Sequence, residues 1–178
     1  MLRMVISLDV ISAIQGRRSI RSYTPQKIEE EKLNKVLEAA RLAPSANNKQ
    51  NWKFVVVRDG ELREKMISAS YDQQFVGEAP VIIVACGTEP SSIMRCGQPR
   101  YTIDLSIAVS YMTLEAYEQG LGTCWIGSFD EGAVKKLLNI PDEVRVVAIT
   151  PLGYPAGTSA PRPRKSLDEI VCYDKYTY

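Results

Sequence analysis

The sequence contains no histidine among its 178 residues, and its few cysteines stand far apart. The four cysteines are Cys86, Cys96, Cys124 and Cys172, with no CxxC pair. A zinc site or a Cys-His nucleophile is therefore not expected. The commonest general base of enzymes is also missing. If the protein is an enzyme, we expect its reactive chemistry to come from a cofactor.

Charge and hydropathy exclude several other classes of protein. The net charge is +1, which gives no general attraction for nucleic acid or for an anionic membrane. No apolar run is long enough to span a bilayer and no signal-peptide pattern is present, so a cytoplasmic location is expected. The length and the hydrophobic content of 45% suit a single domain over residues 1–178.

Hydrophobic spacing predicts a mixture of helices and strands. A short amphipathic helix, with Ser7 as its N-cap and Asp9 in its first turn, is expected to end at Gly16. A polar connection is expected over 71–78 and a loop over 87–100. The other predicted helices cover 28–43, 61–70, 101–119 and 131–138, and the predicted strands cover 53–57, 81–85, 121–127 and 144–152.

Three arginines and two serines fall within residues 17–22, directly after the first helix. Arginine presents a rigid fork of donors that suits phosphate and other planar acceptors. In an extended segment Arg17, Ser19 and Arg21 would share one face, and Arg18 would lie on the other. The alternative is a basic turn that merely faces solvent.

A second basic cluster lies near the C-terminus, in the sequence PRPRK over 161–165. Its prolines favour an extended backbone, in which Arg162 and Arg164 point the same way. Together the two clusters supply the several arginine contacts that a doubly charged phosphate requires.

The segment over 43–52, APSANNKQNW, is rich in amide and hydroxyl side chains and follows no periodic pattern. Its Asn and Ser residues are consistent with simple turn formation. The same amides beside a rigid proline also suit a heterocycle with several donors and acceptors, and the sequence leaves both interpretations open. Further along, glycines bracket the strand predicted over 121–127, where they would let a backbone or a flat ligand approach closely.

The predicted helix over 101–119 is apolar around most of its circumference. A helix of that kind is buried on most sides. In a domain of this size it either forms the centre of the core or contributes to a subunit interface as well.

Four stretches together are similar to the FMN-dependent nitroreductase family, namely RRSIR, APSANNKQNW, GLGTCWIGSF and RPRKSLDEIV. They span nearly the whole chain, which resembles the compact members of the family. The resemblance implies an α+β sandwich whose central mixed, mostly antiparallel sheet is flanked by helices. It also implies an intertwined homodimer with FMN bound at the subunit interface.

Carried over position by position, the resemblance implies a set of FMN-binding residues. It implies no catalytic side chain and no metal ligand, because the chemistry takes place at flavin N5. The C-terminal arginines would hold the phosphate, the APSANNKQNW segment would reach the flavin from the partner subunit, and the GLGTCWIGSF segment would lie against the ring. The implied residues are Arg17, Arg18, Ser19, Arg21, Pro44, Ser45, Ala46, Asn48, Gln50, Trp125, Ile126, Gly127, Arg162 and Arg164.

Three departures from the family's pattern stand out. Asn51 occupies the place of a common proline, which is expected to loosen the APSANNKQNW segment. Cys172 stands where compact members often have histidine. The loop over 87–100 is too short and too different to be identified with a substrate-covering lid.

The resemblance implies an oxidoreductase that works in two half-reactions. NADH or NADPH would reduce the bound flavin, and a nitroaromatic, quinone or similar small molecule would then accept the electrons. One alternative is other flavin chemistry on the same fold, namely reductive dehalogenation or flavin breakdown. Another is a non-catalytic flavin-binding or redox-sensing module. Neither nucleic acid nor a membrane is expected as a partner.

Overall fold

The computed structural model describes residues 9–177 of the chain. Its helices are α1 (Val10–Gly16), α2 (Glu30–Arg41), α3 (Gly60–Ala69), α4 (Phe75–Glu78), α5 (Arg100–Glu118) and α6 (Glu131–Leu138). Its strands are β1 (Trp52–Val57), β2 (Val81–Gly87), β3 (Gly122–Thr123) and β4 (Arg145–Gly153). Two short 3₁₀ turns cover Ala46–Asn48 and Leu167–Glu169. Within the described residues, no helix is long and apolar enough to cross a membrane.

The four strands form one sheet in the order β1-β2-β4-β3, and every neighbouring pair is antiparallel. The register places Val55 beside Val84, and Val84 beside Ile149. Across residues 9–177, the one parallel pairing is an isolated bridge between Ser19 and Thr123. The predicted α+β class with a mostly antiparallel sheet is therefore confirmed.

Helices cover both faces of the sheet. On one face, Ile83 of β2 belongs to the same apolar cluster as Leu33 of α2 and Val109 of α5. On the other face, Ile82 shares a cluster with Met66 of α3 and with residues of α4 and α6. Successive residues of a strand point to opposite faces, so the continuously apolar β2 serves both layers. Its burial along the whole length confirms the prediction from its sequence.

The long apolar helix predicted from the sequence is α5. One face of it, including Leu105 and Met112, is fully buried. Ile103 and Tyr111 remain 38% and 43% exposed. The core interpretation is therefore confirmed for one face, and the subunit-interface interpretation of the exposed face stays a prediction.

Helix α1 differs from its prediction at its start and in its burial. Ser7, the predicted N-cap, lies outside the described residues. Asp9 caps the helix by accepting the Ser12 backbone N–H at 2.8 Å. Val10 and Ile11 are exposed, so α1 buries little of its predicted apolar face within its own chain.

Two other segments also fold differently from their predictions. The polar connection over 71–78 contains α4, a single turn whose Val76 is buried in the core. A helix of four residues is too short to show a hydrophobic period, so the sequence does not indicate it. The strand predicted over 121–127 shortens to β3, because the backbone leaves the sheet after Thr123 and returns only for a bridge at Ile126.

Candidate functional site

The two basic clusters of the sequence meet at one cavity of about 680 Å³, which we call the basic cavity. It contains all six residues that the resemblance implied from these clusters. Its lining consists of Ile14, Gln15, Arg17, Arg18, Ser19, Arg21, Ser159, Ala160, Pro161, Arg162 and Arg164. Two segments from opposite ends of the chain therefore form a single site.

Backbone hydrogen bonds bring the two clusters together at one edge of the sheet. The Ile20 N–H donates to the Thr123 carbonyl at 2.8 Å, which places the first cluster beside β3. The Ala156 N–H donates to the Ser22 carbonyl at 3.0 Å, so the chain that leaves β4 runs back along the same segment. The extended backbone predicted for the first cluster makes this pairing possible.

Alternation predicts Arg18 on the face opposite Arg17, Ser19 and Arg21, yet Arg18 lines the basic cavity with all three. It lines the basic cavity together with Arg17, and both also line a neighbouring cavity of about 310 Å³. Its Nη1 donates to the carbonyl oxygens of Gln15 and Arg17. The end of a helix leaves carbonyls without partners, which explains why the guanidinium turns back toward α1. The Nε of Arg18 is buried and has no hydrogen-bond partner among the described residues.

The basic cavity carries a concentration of positive charge. Five guanidiniums line it and no carboxylate does. None of the five takes part in an ion pair within residues 9–177. The Arg21 guanidinium lies 6.0 Å above the centre of the Phe75 ring, a position that keeps its charge beside the cavity. The arrangement fits a multiply charged anion such as a phosphate group.

The segment that joins α2 to β1 over 43–52, which we call the polar segment, forms a tight turn. Asn47, Asn48 and Gln50 have φ angles of 54°, 53° and 53°, in the left-handed region that residues other than glycine rarely adopt. Such conformations cost on the order of 1–3 kcal/mol each and persist only where their surroundings hold them. The Asp104 carboxylate on α5 accepts the Ala46 N–H at 3.1 Å, and Asp104 is only 5% exposed.

The remaining implied site residues do not line the basic cavity of their own chain. They are Pro44, Ser45, Ala46, Asn48, Gln50, Trp125, Ile126 and Gly127. Trp125 is 44% exposed and covers Gly127, where an added Cβ would lie 2.9 Å from Trp125 Cζ3. The side chain of Ile126 is buried in the core of its own chain.

Asn51 attaches the polar segment to the neighbouring loop. Its side-chain amide donates to the Glu89 carboxylate at 2.6 Å, and its carbonyl accepts the Thr88 N–H at 3.1 Å. The loop over 88–99 is thereby held beside the polar segment. Asparagine in place of proline therefore adds a side-chain bond that proline cannot form, and the expectation that it loosens this segment stays a prediction.

Cys124 is buried beside the basic cavity and is a protonated thiol at neutral pH. Burial raises its pKa, and this effect outweighs the opposing influence of Arg21, Arg17 and a hydrogen bond with Ser19. Burial also raises the pKa of the Tyr23 hydroxyl. The Cys124 thiol and the Tyr23 hydroxyl therefore supply neither a nucleophile nor a base. Within residues 9–177 there is also no cluster of residues suited to a metal ion.

Sequence reasoning missed two parts of the site. Residues 159–161 line the basic cavity. Their position directly before Arg162 was the one feature of the sequence that could have predicted this. Asp104 was also missed, although an acidic residue within the apolar face of a long helix is unusual. Cys172, one of the departures, is exposed, accepts a hydrogen bond from Thr177 Oγ1 at 3.2 Å and does not line the basic cavity.

Comparison with known proteins identifies the family. The Nitroreductase family model matches residues 14–79 and 67–154. A protein of Methanothermobacter thermautotrophicus, provisionally named NADH dehydrogenase/NAD(P)H nitroreductase, is 37% identical over 172 residues, covering 93% of this chain and 87% of its own. The FMN reductase (NAD(P)H) of Bacillus subtilis is 29% identical, covering 94% of this chain and 74% of its own.

Two further relatives carry different names. An iodotyrosine deiodinase of Thermotoga neapolitana is 27% identical, covering 87% of this chain and 91% of its own. A 5,6-dimethylbenzimidazole synthase of Rhodospirillum rubrum is 28% identical, covering 79% of each chain. The sequence is therefore similar to proteins with several different named activities.

Solved structures share the whole fold. A nitroreductase family protein from Clostridium novyi NT has a TM-score of 0.80 at 37% identity, covering 91% of both chains. Another, from Clostridium difficile 630, has a TM-score of 0.85 at 29% identity, covering 95% of this chain and all of its own. With the family model matching most of its length and a relative at 37% identity, the chain belongs to the nitroreductase family.

Proposed function

We propose that the protein is an FMN-dependent oxidoreductase that passes electrons from NADH or NADPH to a small acceptor in two half-reactions. The observation that carries this proposal is the meeting of two distant basic clusters at one cavity with no carboxylate in its lining. A solvated basic turn, the alternative for the first cluster, does not explain why the second cluster lines the same cavity. The FMN reductase among the relatives supports FMN as the molecule whose phosphate binds in this cavity.

In this proposal the basic cavity holds the FMN phosphate. Arg17, Arg162 and Arg164 have guanidiniums free of ion pairs in the described chain, and Arg18 offers a buried Nε without a partner. Each charge-assisted hydrogen bond contributes about 1.5–3 kcal/mol. When bound, the flavin supplies the hydride chemistry, which fits a chain that has neither a histidine nor an ionised thiol at the site.

We further propose a homodimer in which the second copy completes the site. The resemblance implied that five residues of the polar segment reach the flavin from the partner, and none of them lines the basic cavity of its own chain. They are Pro44, Ser45, Ala46, Asn48 and Gln50. Large apolar side chains are exposed on α1, on α5 and on the C-terminal tail. They include Val10, Ile11, Ile14, Ile103, Tyr111, Leu167 and Ile170. Exposed apolar surface on this scale is typical of an interaction site.

In such a dimer each chain acts as one FMN-binding domain over 1–178. The partner's polar segment would present its amides to the flavin ring. The exposed Trp125 and the backbone at Gly127 would lie on the same side of the site. Positioning of this kind, rather than side-chain acid-base chemistry, is the contribution we assign to the protein.

The donor and acceptor classes are supported by the names of the relatives. These include NAD(P)H nitroreductase and FMN reductase, so we propose NADH or NADPH as donor and nitroaromatics or quinones as acceptors. The deiodinase and the dimethylbenzimidazole synthase keep dehalogenation and flavin breakdown as alternatives. A flavin-binding module without turnover is a further alternative.

The proposal is tested by the visible absorption spectrum of the purified protein, before and after incubation with FMN and desalting. Retained bands near about 375 and 450 nm are expected from bound flavin. Flavin-loaded protein is then assayed with NADH or NADPH and a quinone, both varied, and parallel double-reciprocal lines are expected. A protein that retains no FMN contradicts the proposal, and one that binds FMN but oxidises neither nucleotide supports the module instead.

A further inference from the structure

The turn of the polar segment has a shape that its own sequence does not enforce. Asparagine tolerates the left-handed region better than most residues, but Gln50 gains no such benefit. Local bonds help, since the Gln50 N–H donates to Ser45 Oγ at 3.1 Å and its side-chain amide donates to Asn48 Oδ1 at 3.1 Å. These bonds join the segment to itself. They do not fix it relative to the core.

Asp104 provides the connection to the core. Its carboxylate accepts the Ala46 N–H from a position 58 residues away in sequence, on the buried face of α5 beside Leu105. Asp104 belongs to no ion pair within residues 9–177. A buried carboxylate without a cation is costly, and an apolar side chain of similar size would pack this face at lower cost. Packing alone therefore does not account for an acid at this position.

We propose that Asp104 is a positioning residue of the flavin site. By accepting the Ala46 N–H, its carboxylate fixes the start of the turn, and the turn then presents the amides of Asn48 and Gln50 in one arrangement. The role assigned to Asp104 rests on the proposed function, in which the polar segment contacts FMN between two copies of the chain. A segment that is ordered before binding loses less conformational entropy when the ligand arrives.

The test compares Asp104→Asn with Asp104→Ala in the full chain. Asparagine keeps an oxygen acceptor at the same place, whereas alanine removes it. FMN affinity is measured by fluorescence titration, and the environment of the bound ring by visible circular dichroism. We expect Asp104→Asn to remain within about threefold of the parent and Asp104→Ala to bind about tenfold more weakly, the effect of one hydrogen bond. The dichroism of the bound flavin is expected to change in the alanine variant alone.

Ala46→Pro removes the donor of the same hydrogen bond, the Ala46 N–H, and leaves the buried side chain of Asp104 unchanged. Ser45 has ψ of 155°, which suits the residue before a proline, and Ala46 opens a 3₁₀ turn, where proline is tolerated. The expected loss of affinity is again about tenfold, and the double variant with Asp104→Ala should lose no more than either single variant.

The outcomes separate the two proposals. A parent protein that binds no FMN contradicts the proposed function, and the role of Asp104 falls with it. Parent-like affinity and dichroism in folded Ala46→Pro overturn the role of Asp104 while the proposed function stands. Equal losses in Asp104→Asn and Asp104→Ala also contradict an acceptor role. If Asp104→Ala does not fold, Ala46→Pro and Asp104→Asn decide the question.

Discussion

The basic cavity and the polar segment prepare a ligand site in two different ways. The cavity gathers five guanidiniums from two distant segments of the chain, without a carboxylate in its lining. The polar segment carries few charges and holds a turn of left-handed residues through a buried carboxylate. Under the proposed function, binding at the cavity would depend on charge, which tolerates small movements, and binding at the polar segment would depend on shape. Substitutions, salt and pH should therefore change the contribution of the basic cavity and that of the polar segment by different amounts.

The largest effect is expected from removing charge at the cavity. Arg17→Ala and Arg164→Ala should each weaken FMN binding by about 1.5–3 kcal/mol, or roughly 10- to 150-fold, because each removes a charge-assisted hydrogen bond. The double variant should bind at least about 100-fold more weakly. Calorimetric titration with FMN measures both effects.

The matched control is Arg41→Ala, which removes an exposed arginine paired with Glu38 on α2, away from the cavity. It should bind FMN like the parent. If either cavity variant retains FMN through gel filtration as well as the parent does, the phosphate assignment is wrong.

A change of shape beside the basic cavity, at Gly16 in the neighbouring cavity of about 310 Å³, should have a smaller effect on binding. Gly16 lies directly against the Tyr117 side chain, and an added Cβ would overlap the ring. Gly16→Ala should therefore destabilise the fold by about 1–3 kcal/mol, as overpacking does, and lower Tm by several degrees. We expect FMN affinity to fall by less than about tenfold, since the charges remain in place.

Gly60→Ala serves as the control, because its Cβ would meet only the Arg63 side chain at 3.8 Å. Its Tm should stay near that of the parent. A Gly16→Ala protein that folds but has lost FMN binding entirely would show that the cavity depends on shape as strongly as the polar segment does.

Salt should weaken the contribution of the basic cavity to FMN affinity and leave that of the polar segment unchanged. Raising the salt concentration from about 20 to about 500 mM shortens the screening length severalfold, so FMN affinity should fall by roughly tenfold. The ratio of affinities between the parent and Asp104→Ala should be the same at both concentrations, because one hydrogen bond to a buried acid sets it. A ratio that collapses at high salt would mean that Asp104 acts through its charge.

The smallest effect concerns two buried thiols at alkaline pH. Burial raises the pKa of Cys86 to about 11 from an ordinary value of 9.0, and it also raises that of Cys124, where Arg21 and Arg17 oppose it. A thiol whose pKa is higher in the folded state than in the unfolded state contributes its full stabilisation at pH values below the unfolded-state pKa. This stabilisation is lost as the pH rises through the folded-state pKa. For Cys86 the loss spans about pH 9 to 11 and reaches about 1 kcal/mol at pH 10.

Urea unfolding at pH 8 and pH 10 measures this loss. Cys86→Val should reduce the pH dependence more than Cys124→Val does, because the arginines of the cavity already favour the Cys124 thiolate. Equal reductions would indicate that the positive charge of the cavity does not reach Cys124.

The sequence indicated the residues that line the basic cavity better than it indicated the geometry of the polar segment. The two arginine clusters are visible as local patterns, and an extended backbone was predicted for both, from a short motif in one and from prolines in the other. The bond from Ala46 to Asp104 joins two distant positions, so no local pattern reveals it. The polar composition of the segment was visible, but the left-handed turn was not, because neither Asn48 nor Gln50 is a glycine.

The fold shows the same division between local and distant interactions. β2 was predicted because a continuous apolar run is characteristic of a strand buried on both faces. β3 was predicted too long, since its two residues depend on pairing with the end of β4 rather than on their own sequence. The guanidinium of Arg18 turns back to carbonyls at the end of α1, an effect that simple alternation does not include.

Binding of FMN and of riboflavin to the same protein tests most directly whether the basic cavity holds a phosphate. The two ligands differ only in that group, so the five guanidiniums predict that FMN binds at least about 100-fold more tightly. The Arg17→Ala/Arg164→Ala variant should lose most of this preference while its affinity for riboflavin stays near that of the parent. Equal affinity of the parent for both ligands would contradict the phosphate site and the function built on it.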